Sequence, residues 1–195
     1  MNITPVARGI LFACIAVFLL QQVGNLEFRY ALWPLDSGGL FRPWQLVTYG
    51  FMHGGFLHLL FNMYALWMFG QDIERLVGPK RFLIYYLVCV VSAGLAQLLV
   101  QHLAGGPPVP TVGASGGIFG LLLAYGLAFP KRKLMLIFPP IPMPAWVFVT
   151  LYGLVELYLG ITAPGSNVAH FAHLGGMVGG LVLILYWRSQ SARRR

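Results

Sequence analysis

Five stretches of this chain, residues 9–26, 51–70, 82–100, 112–129 and 168–187, contain no Lys, Arg, Asp or Glu, and a sixth, 145–161, contains only Glu156. Each is long enough for one bilayer crossing, which takes about 17–25 residues as helix. Only 9% of the 195 residues are charged, against roughly 25% in soluble domains. A globule of this size could not coat itself in polar side chains, so the solvent is largely lipid. The sequence therefore reads as an all-α membrane protein, one domain over residues 1–195 with six transmembrane helices. The first stretch is not followed by a small-x-small cleavage pattern and is expected to stay in the protein rather than leave as a signal peptide. Cys14 and Cys89 both lie within apolar runs, where they read as small hydrophobic packing residues.

The net charge of +8 would suggest nucleic acid if it were spread over a soluble surface, but its placement argues otherwise. Of the 13 Lys and Arg, 11 fall in alternate segments: Arg8; Arg75, Lys80 and Arg81; Lys131, Arg132 and Lys133; Arg188 and Arg193 to Arg195. By the positive-inside rule both termini are cytoplasmic, and the segments 101–111 and 162–167 face outward with the long first loop. The basic clusters are topology anchors on lipid headgroups, and no nucleic-acid partner is expected. The first outer loop, 25–50, carries Phe28, Tyr30, Trp33, Phe41, Trp44 and Tyr49. So many aromatics suggest a segment lying in the membrane interface, with a packed cap free of lipid as the other reading. Residues 137–144 hold four prolines and cannot be ordinary helix, so they form a stiff cytoplasmic connector. The two halves share no recurring broken-helix pattern, which weakens a transporter reading.

Polar residues inside spans are costly in hydrocarbon and are site candidates by default. They cluster here: His53, His58 and Asn62 in the second span, Gly113, Ser115 and Gly116 at the start of the fourth, His170 and His173 in the sixth. At about 1.5 Å per residue, His58 lies roughly 10 Å below the outer end of its span and His173 roughly 7–8 Å below its own. Prolines and glycines before Ser115 make the fourth helix short. A helix over 114–129 covers roughly 24 Å of a core of about 30 Å. Ser115 then shares the layer of the two histidines, beside irregular backbone that lipid would not tolerate. That combination predicts an outward-opening watery pocket floored by a serine. Gly116 with Gly120, and Gly176 with Gly180, form G-x-x-x-G faces that would let the fourth and sixth helices touch backbone to backbone and bring Ser115 to His173. The same residues also suit a helix cap and a buried hydrogen bond without chemistry.

Over nearly its whole length the sequence resembles the rhomboid intramembrane serine proteases. The resemblance rests on Arg42-Pro43-Trp44-Gln45, on His53, His58 and Asn62 at their spacing, and on Glu74-Arg75. Gly113-Ala114-Ser115-Gly116, and Ala172-His173-Leu174-Gly175-Gly176 with Gly180, complete it. It implies a six-helix bundle with a short fourth helix that cuts substrate transmembrane segments, Ser115 being the nucleophile and His173 the general base and then acid. It also implies an oxyanion hole of His58, Asn62 and the Ser115 backbone N–H, with Phe119 stacked on the base. The family works with a Ser–His dyad. Gly113, Gly116, Gly176, Gly180 and His53 are supporting residues, and no cofactor is implied. A non-catalytic relative that binds transmembrane helices, or a polar-solute transporter, is the competing reading.

Remaining polar residues are assigned smaller parts. Glu156 reads as structural, a buried acid near the outer end of its span, and no acidic third member stands where a triad would want one. His170 is a rival base, disfavoured for lying closer to the surface. His53 reads as a rim or supporting group, and His102 as interfacial. Metal is not expected, because no acidic ligand joins the histidines. A multi-pass protein of a bacterial inner membrane, its site opening to the extracytoplasmic side, fits these features together.

Overall fold

The computed structural model describes residues 3–135, 140–163 and 168–193. Helix α1 spans Pro5–Gln21. Its proline occupies the first turn, where a missing N–H costs nothing. Two open N–H groups of that turn, on Val6 and Ala7, donate to the Glu74 carboxylate at 3.0 and 2.8 Å. One acid thus ties the first helix to the second helical run and suits the positive end of the helix dipole.

That second run differs from the expected 51–70. Helix α4 begins at Phe56 and ends at Ala65, passes through a π-helical turn at Leu66–Gly70, and continues as α5, Gln71–Val77. Met52 is extended, and the Gly54-Gly55 pair that follows delays the start. At the other end charged residues continue the helix rather than stop it, so absence of charge marks a span poorly as a helix boundary. The same effect lengthens the third stretch: α6 runs Pro79–Ala104, opened by Gly78 at φ +81°. By contrast the short fourth helix is found as expected, with α7 at Ser115–Ala128. Helices α8, Ala145–Thr162, and α9, His170–Ala192, follow.

Three of these, α6, α8 and α9, are long and apolar enough to cross a membrane, while α1 and α7 are shorter apolar helices. The exterior is greasy: Phe56, Phe61, Trp146, Tyr158, Val182 and Tyr186 are all exposed. The interior holds the polar residues, which is the arrangement lipid demands.

The long loop before α4 is ordered. It contains α2, Leu26–Tyr30, and α3, Gln45–Thr48, and Leu32 exchanges both backbone hydrogen bonds with Thr111. Gln45 has no exposed surface. Its amide donates to the carbonyls of Arg29 and Leu40 and accepts from the N–H groups of Arg42 and Trp33. Phe28 and Trp44 are exposed, but Tyr49 belongs to the core, donating its hydroxyl to the Val90 carbonyl at 2.7 Å. An interfacial reading therefore fails for Tyr49. The chain is also not purely helical. Strands β1, Lys133–Met135, and β2, Pro142–Pro144, pair antiparallel, a two-stranded ribbon where prolines need not donate. Positions 136–139, which take in the start of the 137–144 proline connector, lie outside the described residues, as do positions 164–167 of the last outer loop.

Small residues draw α6, α7 and α9 together. A methyl group on Gly176 would overlap the Gly116 carbonyl, and one on Gly120 would overlap the Cys89 side chain. Gly180 faces Tyr85 and Cys89 of α6 rather than α7. Both cysteines are buried and unpaired, as their apolar surroundings suggested. Backbone contact of this kind is available only to glycine, and it fixes how α7 and α9 sit against each other.

Candidate active site

The N-terminus of α7 meets the first turns of α9. Gly113, at φ +138°, turns the chain into α7; a side chain there would be strained and would press on the His58 ring at 2.9 Å. Ser115 follows as the first helical residue and is half-buried. Its backbone N–H belongs to the first turn, where no carbonyl within the helix is available to it. On α9, His173 is buried, and its Nε2 lies 2.8 Å from Ser115 Oγ. Phe119, one turn beyond Ser115, stacks on the His173 ring with centroids 4.2 Å apart and planes 5° from parallel. The glycine contact between Gly116 and Gly176 is the scaffold for this: it lies one residue from the serine and three from the histidine.

His58 and Asn62 approach from α4. The His58 ring stands over Gly113, and its Nδ1 accepts from the Gly54 N–H at 3.4 Å. Asn62 is buried and donates one of its amide protons to the His58 carbonyl one turn back, at 2.8 Å, leaving a second N–H on the same nitrogen. His53 is 1% exposed, so it is not a rim residue. Its ring sits edge-on to His58 at 5.2 Å and backs that side chain. His102 lies at the far end of α6 against Asp36, 2.7 Å from its carboxylate.

Glu156 is where the sequence reading fails. This acid of α8 is buried, with Oε2 2.7 Å from His170 Nδ1 and 2.9 Å from His173 Nδ1. An acidic group does stand beside the imidazole, and it does join the two histidines. His170, the rival base, is turned to this carboxylate. The ligand atoms of Glu156, His170 and His173 lie within 4.8 Å of one another, so, contrary to the expectation, an acidic ligand does join these histidines. One signal was available in the sequence: Glu156 and His173 each lie about five residues from the outer ends of their stretches, and so at one depth.

The rhomboid domain model matches residues 40–190, a range that includes Ser115, His173, Phe119, His58, Asn62 and Glu156. Over 188 residues the chain is 32% identical to the rhomboid protease GlpG of Serratia proteamaculans (strain 568), covering 94% of this chain and 62% of that protein. It is 27% identical over 196 residues to the rhomboid protease GlpG of Yersinia pestis (strain Pestoides F), covering 97% and 65%. Against the rhomboid protease GluP of Bacillus subtilis (strain 168) it is 34% identical over 139 residues, 70% of this chain and 24% of that one. The chain thus spans less than two thirds of the length of these relatives. With the family domain matched across most of its residues, the chain belongs to the rhomboid family, and its long apolar helices make it an integral membrane protein.

Proposed function

We propose that this protein is an intramembrane serine endopeptidase that hydrolyses peptide bonds in or near transmembrane segments of other membrane proteins. The observation that carries this reading is the 2.8 Å contact between Ser115 Oγ and His173 Nε2, made by residues of different helices. A serine is a weak nucleophile until a base takes its proton. His173 takes it as the hydroxyl attacks the scissile carbonyl and returns it to the leaving amine. The tetrahedral oxyanion meets the Ser115 N–H at the open end of α7 and the side chains of His58 and Asn62. For Asn62 this uses the amide proton not given to the His58 carbonyl. Phe119 holds the imidazole plane.

The same proposal includes six membrane crossings, formed by α1, the run from α4 to α5, and α6, α7, α8 and α9. At 14 residues, α7 covers about 21 Å of a core of about 30 Å. Its N-terminus then sits below the outer surface, and the water that hydrolysis needs reaches Ser115 from that side. Positive charge in alternate segments supports cytoplasmic termini and a site open to the other side, in a bacterial inner membrane. A substrate helix must unwind locally, since its peptide groups are occupied by their own hydrogen bonds, and it enters sideways past α8.

Labelling of the purified protein with a fluorescent fluorophosphonate tests the reading. The wild type is expected to label and Ser115→Ala and His173→Ala are not. An unlabelled wild type that still bound transmembrane helices would return the chain to the non-catalytic reading.

A further inference from the structure

We infer that Glu156 is a positioning residue for the base, so that the catalytic group of this chain is a serine, a histidine and a glutamate rather than a serine and a histidine alone. The inference rests on the protease reading above and deepens it. Ser115 Oγ, His173 Nε2, His173 Nδ1 and Glu156 Oε2 form a chain with successive gaps of 2.8 Å at one end and 2.9 Å at the other. The carboxylate is buried, as are both histidines.

An ionised carboxylate only accepts hydrogen bonds, so each Nδ1 that faces it carries the proton. For His173 that choice leaves Nε2 bare and turned to Ser115, which is the tautomer a base requires. The contact to His173 is oblique, short of a straight hydrogen bond. His170 makes the straight one, donating from Nδ1 at 2.7 Å. His170 thus anchors the carboxylate, and the carboxylate in turn holds the His173 tautomer and offsets the positive charge that ring acquires during proton transfer. In a buried site that compensation counts for more than in water. The residues facing His173 come from each packed element: Glu156 on α8, His170 on α9, Ser115 and Phe119 on α7, and His58 on α4. Glu156 is the only acid among them.

Saturation kinetics of fluorophosphonate labelling on the full chain in detergent separate rate (kinact) from affinity (KI) without needing the natural substrate. Glu156→Gln is expected to lower kinact about 10- to 100-fold with KI unchanged. That is less than the roughly 10,000-fold seen when a soluble triad loses its acid, because the contact is oblique and Phe119 shares the work of holding the ring. Glu156→Leu is expected to lower it further, and nitrogen NMR of ring-labelled histidine should then show His173 as mixed tautomers, against a single Nδ1–H form in the wild type. A kinact for Glu156→Gln within twofold of wild type overturns the inference and leaves the protease reading standing. Labelling of Ser115→Ala overturns the protease reading itself. Loss of wild-type labelling on treatment with EDTA, regained with zinc, overturns the inference by making the three residues metal ligands. Should Glu156→Gln not fold, His170→Ala leaves the carboxylate in place and removes its anchor. A reduced kinact at constant KI is expected, and an unchanged kinact overturns the inference.

Discussion

Helix α9 has two unlike neighbours. Against α7 it packs backbone to backbone, with Gly176 on the Gly116 carbonyl and Ala172 near Gly116. Against α8 it packs through side chains: Gly153 faces the end of Met177 at ordinary contact distance, and Gly160 faces the Phe171 ring. Burial follows the same division. Ten of the 14 residues of α7 are buried, whereas α8 has only Ala145, Val149 and Glu156 buried. The serine and the imidazole therefore sit across a junction with almost no freedom, and the carboxylate arrives on the loosest wall. Under the proposed reading, in which a substrate helix enters past α8, the less buried α8 is the wall that would yield while the α7–α9 junction keeps Ser115 beside His173.

Four substitutions sharpen or break that contrast. Gly176→Val strikes the rigid junction. The group it overlaps is backbone and cannot rotate away, so the cost is expected at or above the upper end of the usual 1–3 kcal/mol for overpacking. Unfolding in detergent should show the loss, and fluorophosphonate labelling should disappear with it. Gly113→Ala is expected to cost about 2 kcal/mol of backbone strain and to displace His58. Labelling should slow at least tenfold while the fold survives, as circular dichroism would show. Phe119→Leu removes the flat surface under the imidazole with little change in volume. About 1 kcal/mol of stability and a several-fold drop in labelling rate are expected. On the loose side the sign should reverse: Gly153→Ala finds room beside Met177 and gains helix propensity, for a rise of about 0.5 kcal/mol. A large loss from Gly153→Ala would end the distinction between the two junctions.

Part of the arrangement around Ser115 was legible in the sequence. The meeting of Ser115 with His173 follows from depth and glycine spacing, the place of Phe119 came only with the family resemblance, and the short α7 follows from prolines and glycines that cannot begin a helix earlier. Helix ends were read less well. Lys80, Arg81, Gln101 and His102 continue α6, because a charged residue can snorkel or reach water while remaining helical. The part played by Gln45 was out of reach, since its four partners come from residues 29 to 42 and only the folded loop collects them. Glu156 was read as structural, and its place beside His173 was not foreseen. Its partners lie on another helix, and the shared depth of Glu156 and His173 was the one pointer to them along the chain.

What the chain carries in one dimension is its solvent and its chemistry: apolar stretches of bilayer length, charges in alternate segments, and a serine and histidines at one depth. Hydrophobicity and side-chain type are properties of each residue and need no neighbour to be read. Which imidazole nitrogen faces the serine, and that an acid of α8 stands on the other side of the ring, was decided by how three helices rotate against one another. Close contacts at Gly116, Gly120 and Gly176 set how α7 and α9 face each other, side-chain packing seats α8 beside them, and a contact between distant residues exists only once the backbone has brought them together.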